Sequence, residues 1–167
     1  MADTIPDLWL SSELKTTVLT PIAILRTQAN LLGQKTQGLL VGDVRVTSGE
    51  KGQVILSFDV IAPALNSYRY NLLSVRHTKD ASYPAAISAQ IFITPEKINN
   101  MSVLKGIGLG SETAYSDRQF IALVQEVLQA QETVARLQSL IVRSNEEVVG
   151  SPFTKDENTE QSDDEKE

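Results

Sequence analysis

The chain has 167 residues, of which 41% are hydrophobic, and a formal net charge of −6. That is enough for one domain with a real core, and the hydrophobic share is ordinary for a globular protein. With no cysteine and one histidine, disulfides, thiolate nucleophiles and metal sites built on cysteine or several histidines are excluded within one chain.

The N-terminus, Met1-Ala2-Asp3-Thr4-Ile5-Pro6-Asp7, is acidic and lacks the basic start of a signal peptide. No apolar run approaches the roughly 20 residues that span a bilayer. Together these point to a cytoplasmic protein that does not engage a membrane. Asp7 to Leu14 reads as a short helical turn capped by Asp7, with Trp9 packed at the edge of the core. Thr20-Pro21 is a strong helix start, threonine as the cap and proline in the first turn. Ile22, Leu25, Ala29 and Leu32 then recur at three and four, widened by Ile24 and Leu31. This predicts an amphipathic helix to about Lys35 with Gly38 past its end.

Gly38 to Thr94 reads as four strands of one antiparallel meander. Leu40, Val44 and Val46 share a phase in the first strand, Leu39 to Thr47. Val54, Leu56, Phe58 and Val60 alternate with polar residues in the second. Ser48-Gly49-Glu50-Lys51-Gly52 suits the hairpin between them, and pairing Thr47 with Gln53 places Gly42 opposite Phe58. The third strand, about Ser67 to His77, holds Tyr68, Tyr70 and Leu72 inward. Its phase then changes, so a bulge is expected near Leu72-Leu73. The fourth, Ala85 to Thr94, alternates Ile87, Ala89, Ile91 and Ile93 and ends at Pro95. On the opposite face Asp43, Arg45, Ser57, Asp59, Arg69 and Asn71 are polar. There Asp59 is expected opposite Arg69 as an exposed pair, and Val41, Ile55, Ile61 and Leu73 interrupt the polar surface with apolar ones.

Glu96 to Tyr115 is poorly patterned. Lys105-Gly106-Ile107-Gly108-Leu109-Gly110 is glycine-rich but lacks the spacing of a phosphate loop and reads as a connector. From Ser116 or Asp117 a single long helix is predicted to about Ser144. Phe120, Leu123, Val127, Ala130, Val134, Leu137 and Ile141 repeat every three or four residues, a seam that Val124, Leu128, Leu140 and Val142 widen. At about 1.5 Å per residue it is roughly 40 Å long and overhangs a four-stranded sheet. Residues 151–167 carry seven acidic and two basic side chains and read as a disordered acidic tail. The domain is therefore residues 1–150, close to neutral in charge, which argues against a nucleic-acid partner.

No constellation carries chemistry. His77 stands at a strand end beside Lys79 and Asp80, without a GxSxG elbow elsewhere. Asp43 and Asp59 share a face, as paired catalytic carboxylates or cation ligands do, but Arg45 and Arg69 account for them as ion pairs. Tyr68-Arg69-Tyr70 mixes aromatic and basic side chains, yet its tyrosines share the core phase. No catalytic, cofactor-binding or metal-binding residue is assigned. The expected protein is α+β, with an N-terminal and a long C-terminal helix on one sheet face. The expected function is that of a non-enzymatic interaction or assembly protein, self-associating as a homodimer or meeting another protein. The alternative is a binding module for a small molecule or peptide, on the sheet face near Tyr68 and Tyr70 or between helix and sheet. The interaction surfaces proposed from sequence are Val134, Leu137 and Ile141 on the long helix and Val41, Ile55 and Leu73 on the outer sheet face.

Overall fold

The computed structural model describes residues 18–92 and 110–149. The expected turn around Trp9, strand residues beyond Phe92, most of the glycine-rich stretch and the acidic tail lie outside the described residues. The fold is α+β, an antiparallel sheet with an N-terminal helix and C-terminal helices. In chain order the elements are α1 (Pro21–Lys35), β1 (Val41–Ser48), β2 (Gln53–Ala62), β3 (Tyr68–Thr78), β4 (Ala85–Ser88), β5 (Ser111–Ala114), α2 (Asp117–Gln129) and α3 (Gln131–Val149). The strands pair in the order β1-β2-β3-β4-β5.

α1 begins where the threonine–proline signal places it. Thr20 Oγ1 accepts from the Ala23 N–H at 3.4 Å, and the end is closed by the Gly38 N–H donating to Gly33 O at 2.9 Å with Gly38 at φ 83°. Ile24, Leu25 and Ala29 are buried against the sheet. α1 sits unusually close to β1: a Cβ added to Gly42 would lie 2.5 Å from Ala29 Cα. The bare backbone of Gly42 is thus covered by a helix.

The β1–β2 register differs by two residues from the expected one. Val46 pairs with Leu56, Val44 with Phe58 and Gly42 with Val60. The reason is a tighter link, in which Glu50–Gly52 form a single 3-10 turn with Lys51 at φ 54° and Gly52 at φ 73°. A shift of two keeps every side chain on its face. Between β2 and β3 the register steps where Phe58 pairs with Leu73 and Asp59 with Asn71. Leu72 is therefore the extra residue, as expected for a bulge in that strand. The step also turns Leu73 onto the core face, opposite Phe58, where it is fully buried.

Three expectations are corrected. The sheet has five strands, not four, because Ser111–Ala114 adds to β4. The fourth strand stops at Ser88, and Gln90–Phe92 form a 3-10 turn despite the continued alternation of apolar residues. The long C-terminal helix is two helices, because Ala130 adopts φ −59° and ψ 138°. A straight rod would carry Val134 to Ile141 past the sheet. The extended residue instead redirects α3 across it, so that Leu140 joins the core and the Arg136 guanidinium stands 4.6 Å above the Tyr70 ring. One core cluster joins Leu25 of α1, Leu56, Phe58 and Val75 of the sheet, Phe120 and Val124 of α2 and Leu140 of α3.

Candidate functional site

Among the described residues a groove of about 390 Å³ lies between α1 and α2. Leu19 and Ala23 of the α1 side and Ile121 and Leu128 of α2 flank it, Ile24 and Val124 lie between them, and Gln28, Gln125 and Gln129 also line it. Its floor is core, since Ile24 and Val124 are buried, while Leu19 is 50% and Ile121 40% exposed at its lip. Singly exposed apolar side chains are common on protein surfaces, but the position of Leu19 is fixed by its backbone. The Leu19 N–H donates to Asp117 Oδ2 at 3.3 Å, and Leu19 O accepts from the Tyr83 hydroxyl at 2.7 Å. Those two bonds pin Val18-Leu19 outside the helix, and Val18 is likewise 52% exposed. Tyr83 is oriented in turn by an edge-on contact with Phe120, centroids 6.1 Å apart. Burial, with a smaller contribution from the Asp117 charge, pushes the Tyr83 phenol up to about 12.

The outer sheet face holds an ionic cluster. Asp43 and Asp59 are directly paired across β1 and β2. Asp59 Oδ2 accepts from Arg45 Nε at 2.8 Å and from Arg69 Nη1 at 2.9 Å, and its Oδ1 accepts from Asn71 Nδ2 at 2.8 Å. Arg69 Nη1 also donates to Asp43 Oδ2 at 2.7 Å. Asn71, not Arg69, is the residue opposite Asp59. The Asp59 side chain is fully buried beneath these partners, so the pair is not the exposed one expected. Burial acts to raise its carboxyl, but the bonds from Asn71, Arg69 and Arg45 more than offset this and hold it below the ordinary carboxylate value. Both lone-pair sets are spent on arginine and asparagine. Among the described residues no group of three His, Cys, Asp or Glu side chains is arranged to hold a metal ion.

His77 is half-buried in a shallow hollow with Arg76, Pro84, Ala86 and Thr113. Its Nδ1 lies 2.8 Å from Thr78 O, a bond that requires the tautomer protonated at Nδ1. The two tyrosines of the possible ligand face part company: Tyr68 is 47% exposed at the start of β3, whereas Tyr70 packs against the core under Arg136. Of the residues proposed from sequence as interaction surface, Val134 is 38% exposed, while Leu137 and Ile141 pack partly against this chain's own core. Val41 is exposed and Ile55 half-buried on the outer face, and Leu73 has no accessible surface. The structure does not bring the six into one patch: three are on α3, two are on the outer face and one is in the core.

The sequence pattern misses the lip of the groove. Ile121 falls outside the seam of Phe120, Val124 and Val127, and an apolar residue off the stripe was the available signal. Val18 reads as a backward extension of the α1 stripe only if the helix starts before Pro21, and it does not. Val46 also departs from expectation. It lies in the core phase but is 51% exposed, because α1 covers β1 at Gly42 and leaves the other end open. No known protein family, curated protein or solved structure matches this chain. Among the described residues no helix is long and apolar enough to cross a membrane.

Proposed function

We propose that this chain is a small non-enzymatic interaction and assembly protein that self-associates and that receives an apolar segment of a protein partner between α1 and α2. The observation that carries the second part is the groove itself, a concave surface with a core floor and two exposed apolar residues, Leu19 and Ile121, held at its lip. Two helices flanking an apolar trough are the geometry into which an amphipathic segment lays its apolar face. The groups best placed for chemistry are otherwise engaged: the Asp43 and Asp59 carboxylates bind arginines, and His77 bonds to its neighbour's carbonyl. A small ligand in the same groove is the second reading, since about 390 Å³ falls in the range of small-molecule sites.

A photo-crosslinking residue placed singly at Ile121, and as a control at Arg143 on the exposed side of α3, separates these readings in native host cells. The expected result is one discrete protein adduct at position 121, absent at 143. Equal labelling at both positions removes the protein-docking reading. A small-molecule adduct confined to 121 supports the second.

A further inference from the structure

We propose that the free edge of β1 pairs with β1 of a second copy of this chain, antiparallel about a two-fold axis at Val44. This gives a surface to the self-association proposed above and makes no use of the α1–α2 groove. Among the described residues β1 pairs with β2 alone, so one edge of the sheet is open along its length. At the opposite edge β5 has 4 residues, but β1 has 8 and contains no proline. Natural edge strands are usually kept short, or blocked by proline, bulges or inward charges, to prevent such pairing. β1 has no proline and no register step, and the charges it carries, Asp43 and Arg45, lie on the outer face, where they decide the register.

The hairpin determines which groups the edge presents. The Gly49 N–H donates to Gln53 O at 2.9 Å, so Gly49 and Gln53 are a hydrogen-bonded pair. Hydrogen-bonded and non-bonded pairs alternate along an antiparallel ladder. Thr47, Arg45, Asp43 and Val41 therefore bond inward to β2, and the N–H and C=O groups of Gly42, Val44 and Val46 point out of the sheet edge. A second strand must match outward residues to outward residues.

Around a two-fold axis that leaves three central registers, and the charges on the outer face separate them. Pairing Gly42 with the second copy's Val44 sets Asp43 against Asp43. Pairing Val44 with the second copy's Val46 sets Arg45 against Arg45. Pairing Val44 with Val44 sets Asp43 against the second copy's Arg45, and Arg45 against its Asp43. Like charges directly opposite destabilise a sheet and opposite charges support it, so the strand is self-complementary in one register. The atoms are available. Arg45 reaches Asp59 through Nε and Nη2, and Asp43 meets Arg69 through Oδ2. Those bonds use neither Arg45 Nη1 nor Asp43 Oδ1.

The other face fits the same register. Val46, 51% exposed, comes to lie beside the second copy's Gly42, which has no side chain. α1 covers β1 at the Gly42 end and not at the Val46 end, so the antiparallel arrangement places the two α1 helices toward opposite ends of the seam. About six interchain backbone hydrogen bonds result.

The chain contains no cysteine, so single introduced thiols report the register directly. In the proposed pairing two copies of residue 44 face each other at about 5.5 Å between Cα atoms, within disulfide reach. Two copies of residue 46 are offset by roughly 13 Å along the strands. Oxidation is expected to convert Val44→Cys to a covalent dimer on a non-reducing gel and to leave Val46→Cys uncrosslinked. Sedimentation of the wild type should give a two-chain mass. Val46→Pro should give one chain with an unchanged far-UV spectrum, because the lost N–H points outward. A monomeric wild type at micromolar concentration overturns both this pairing and self-association. A two-chain wild type whose Val44→Cys variant does not crosslink, or whose Val46→Cys variant crosslinks equally, overturns the pairing and leaves self-association standing. If Val46→Pro fails to fold, the two cysteine variants still decide.

Discussion

Asp59 is a carboxylate with no exposure on a sheet face that is otherwise wet, and its partners Arg45 and Arg69 are 56% and 41% exposed. The burial cost falls on one side of each pair, because the arginines keep part of their hydration. Removing the charge strands two guanidinium groups over a neutral amide, and their freedom to turn toward solvent limits the damage. Asp59→Asn should therefore cost about 2 kcal/mol at neutral pH, below the full penalty for breaking a buried pair. The pH dependence has a definite sign. The folded carboxyl lies below its ordinary value of 3.8, so its contribution is complete above that value and is lost as pH falls through the folded one. Urea denaturation at neutral and acid pH should show the gap between wild type and Asp59→Asn narrowing below about pH 4. A gap that stays constant there would mean the arginines do not hold the charge.

At the scale of elements, α1 meets β1 backbone to backbone at Gly42. Added to Gly42, a methyl group meets the backbone of α1, 2.5 Å from Ala29 Cα and 2.9 Å from Ala29 O. Gly42→Ala should lower stability by about 3 kcal/mol, at the upper end of ordinary overpacking because backbone must move. Ala29→Gly should not rescue it, since two of the three close atoms are main chain; rescue in thermal melts would relocate the clash to the Ala29 methyl group. How legible each element was follows from what shaped it. α1, β1, β2 and β3 are dictated by capping, alternation and a bulge, all of which are local in the chain. β5 was not legible, because Ser-Glu-Thr-Ala has one apolar residue and exists as a strand through its pairing with β4. Ile91 continues the alternation of Ala85, Ile87 and Ala89, and nothing in that pattern marks the end of β4 at Ser88. Gln129-Ala130-Gln131 consists of strong helix formers, so the break at Ala130 is imposed by the surface that α3 covers. The groove inherits this difficulty: its floor could be read from the seam, but its lip depends on long-range bonds from Asp117 and Tyr83.

At the scale of the whole molecule, one hydroxyl ties together parts of the chain far apart in sequence. Tyr83, in the turn between β3 and β4, donates to Leu19 O just before α1 and packs on Phe120 of α2, while Asp117 at the start of α2 accepts from the Leu19 N–H. Loss of that bond in Tyr83→Phe should cost about 1 kcal/mol at pH 8, with the ring contact to Phe120 preserved. The alkaline behaviour tests whether the phenol itself is responsible. Burial raises Tyr83 from 10.0 to about 12, so the folded state favours the neutral hydroxyl. Its contribution is whole below pH 10 and is lost as the pH rises toward 12. Tyr68, Tyr70 and Tyr115 are present in both proteins, and the difference between wild type and Tyr83→Phe isolates the one group. Chemical denaturation at pH 8, 10 and 11.5 should show that difference shrinking and then reversing, as the wild type comes to carry a partly buried phenolate. Equal stability of the two proteins at all three pH values would mean that Tyr83 acts through ring packing alone and that the lip of the groove, Leu19 included, is held by Asp117.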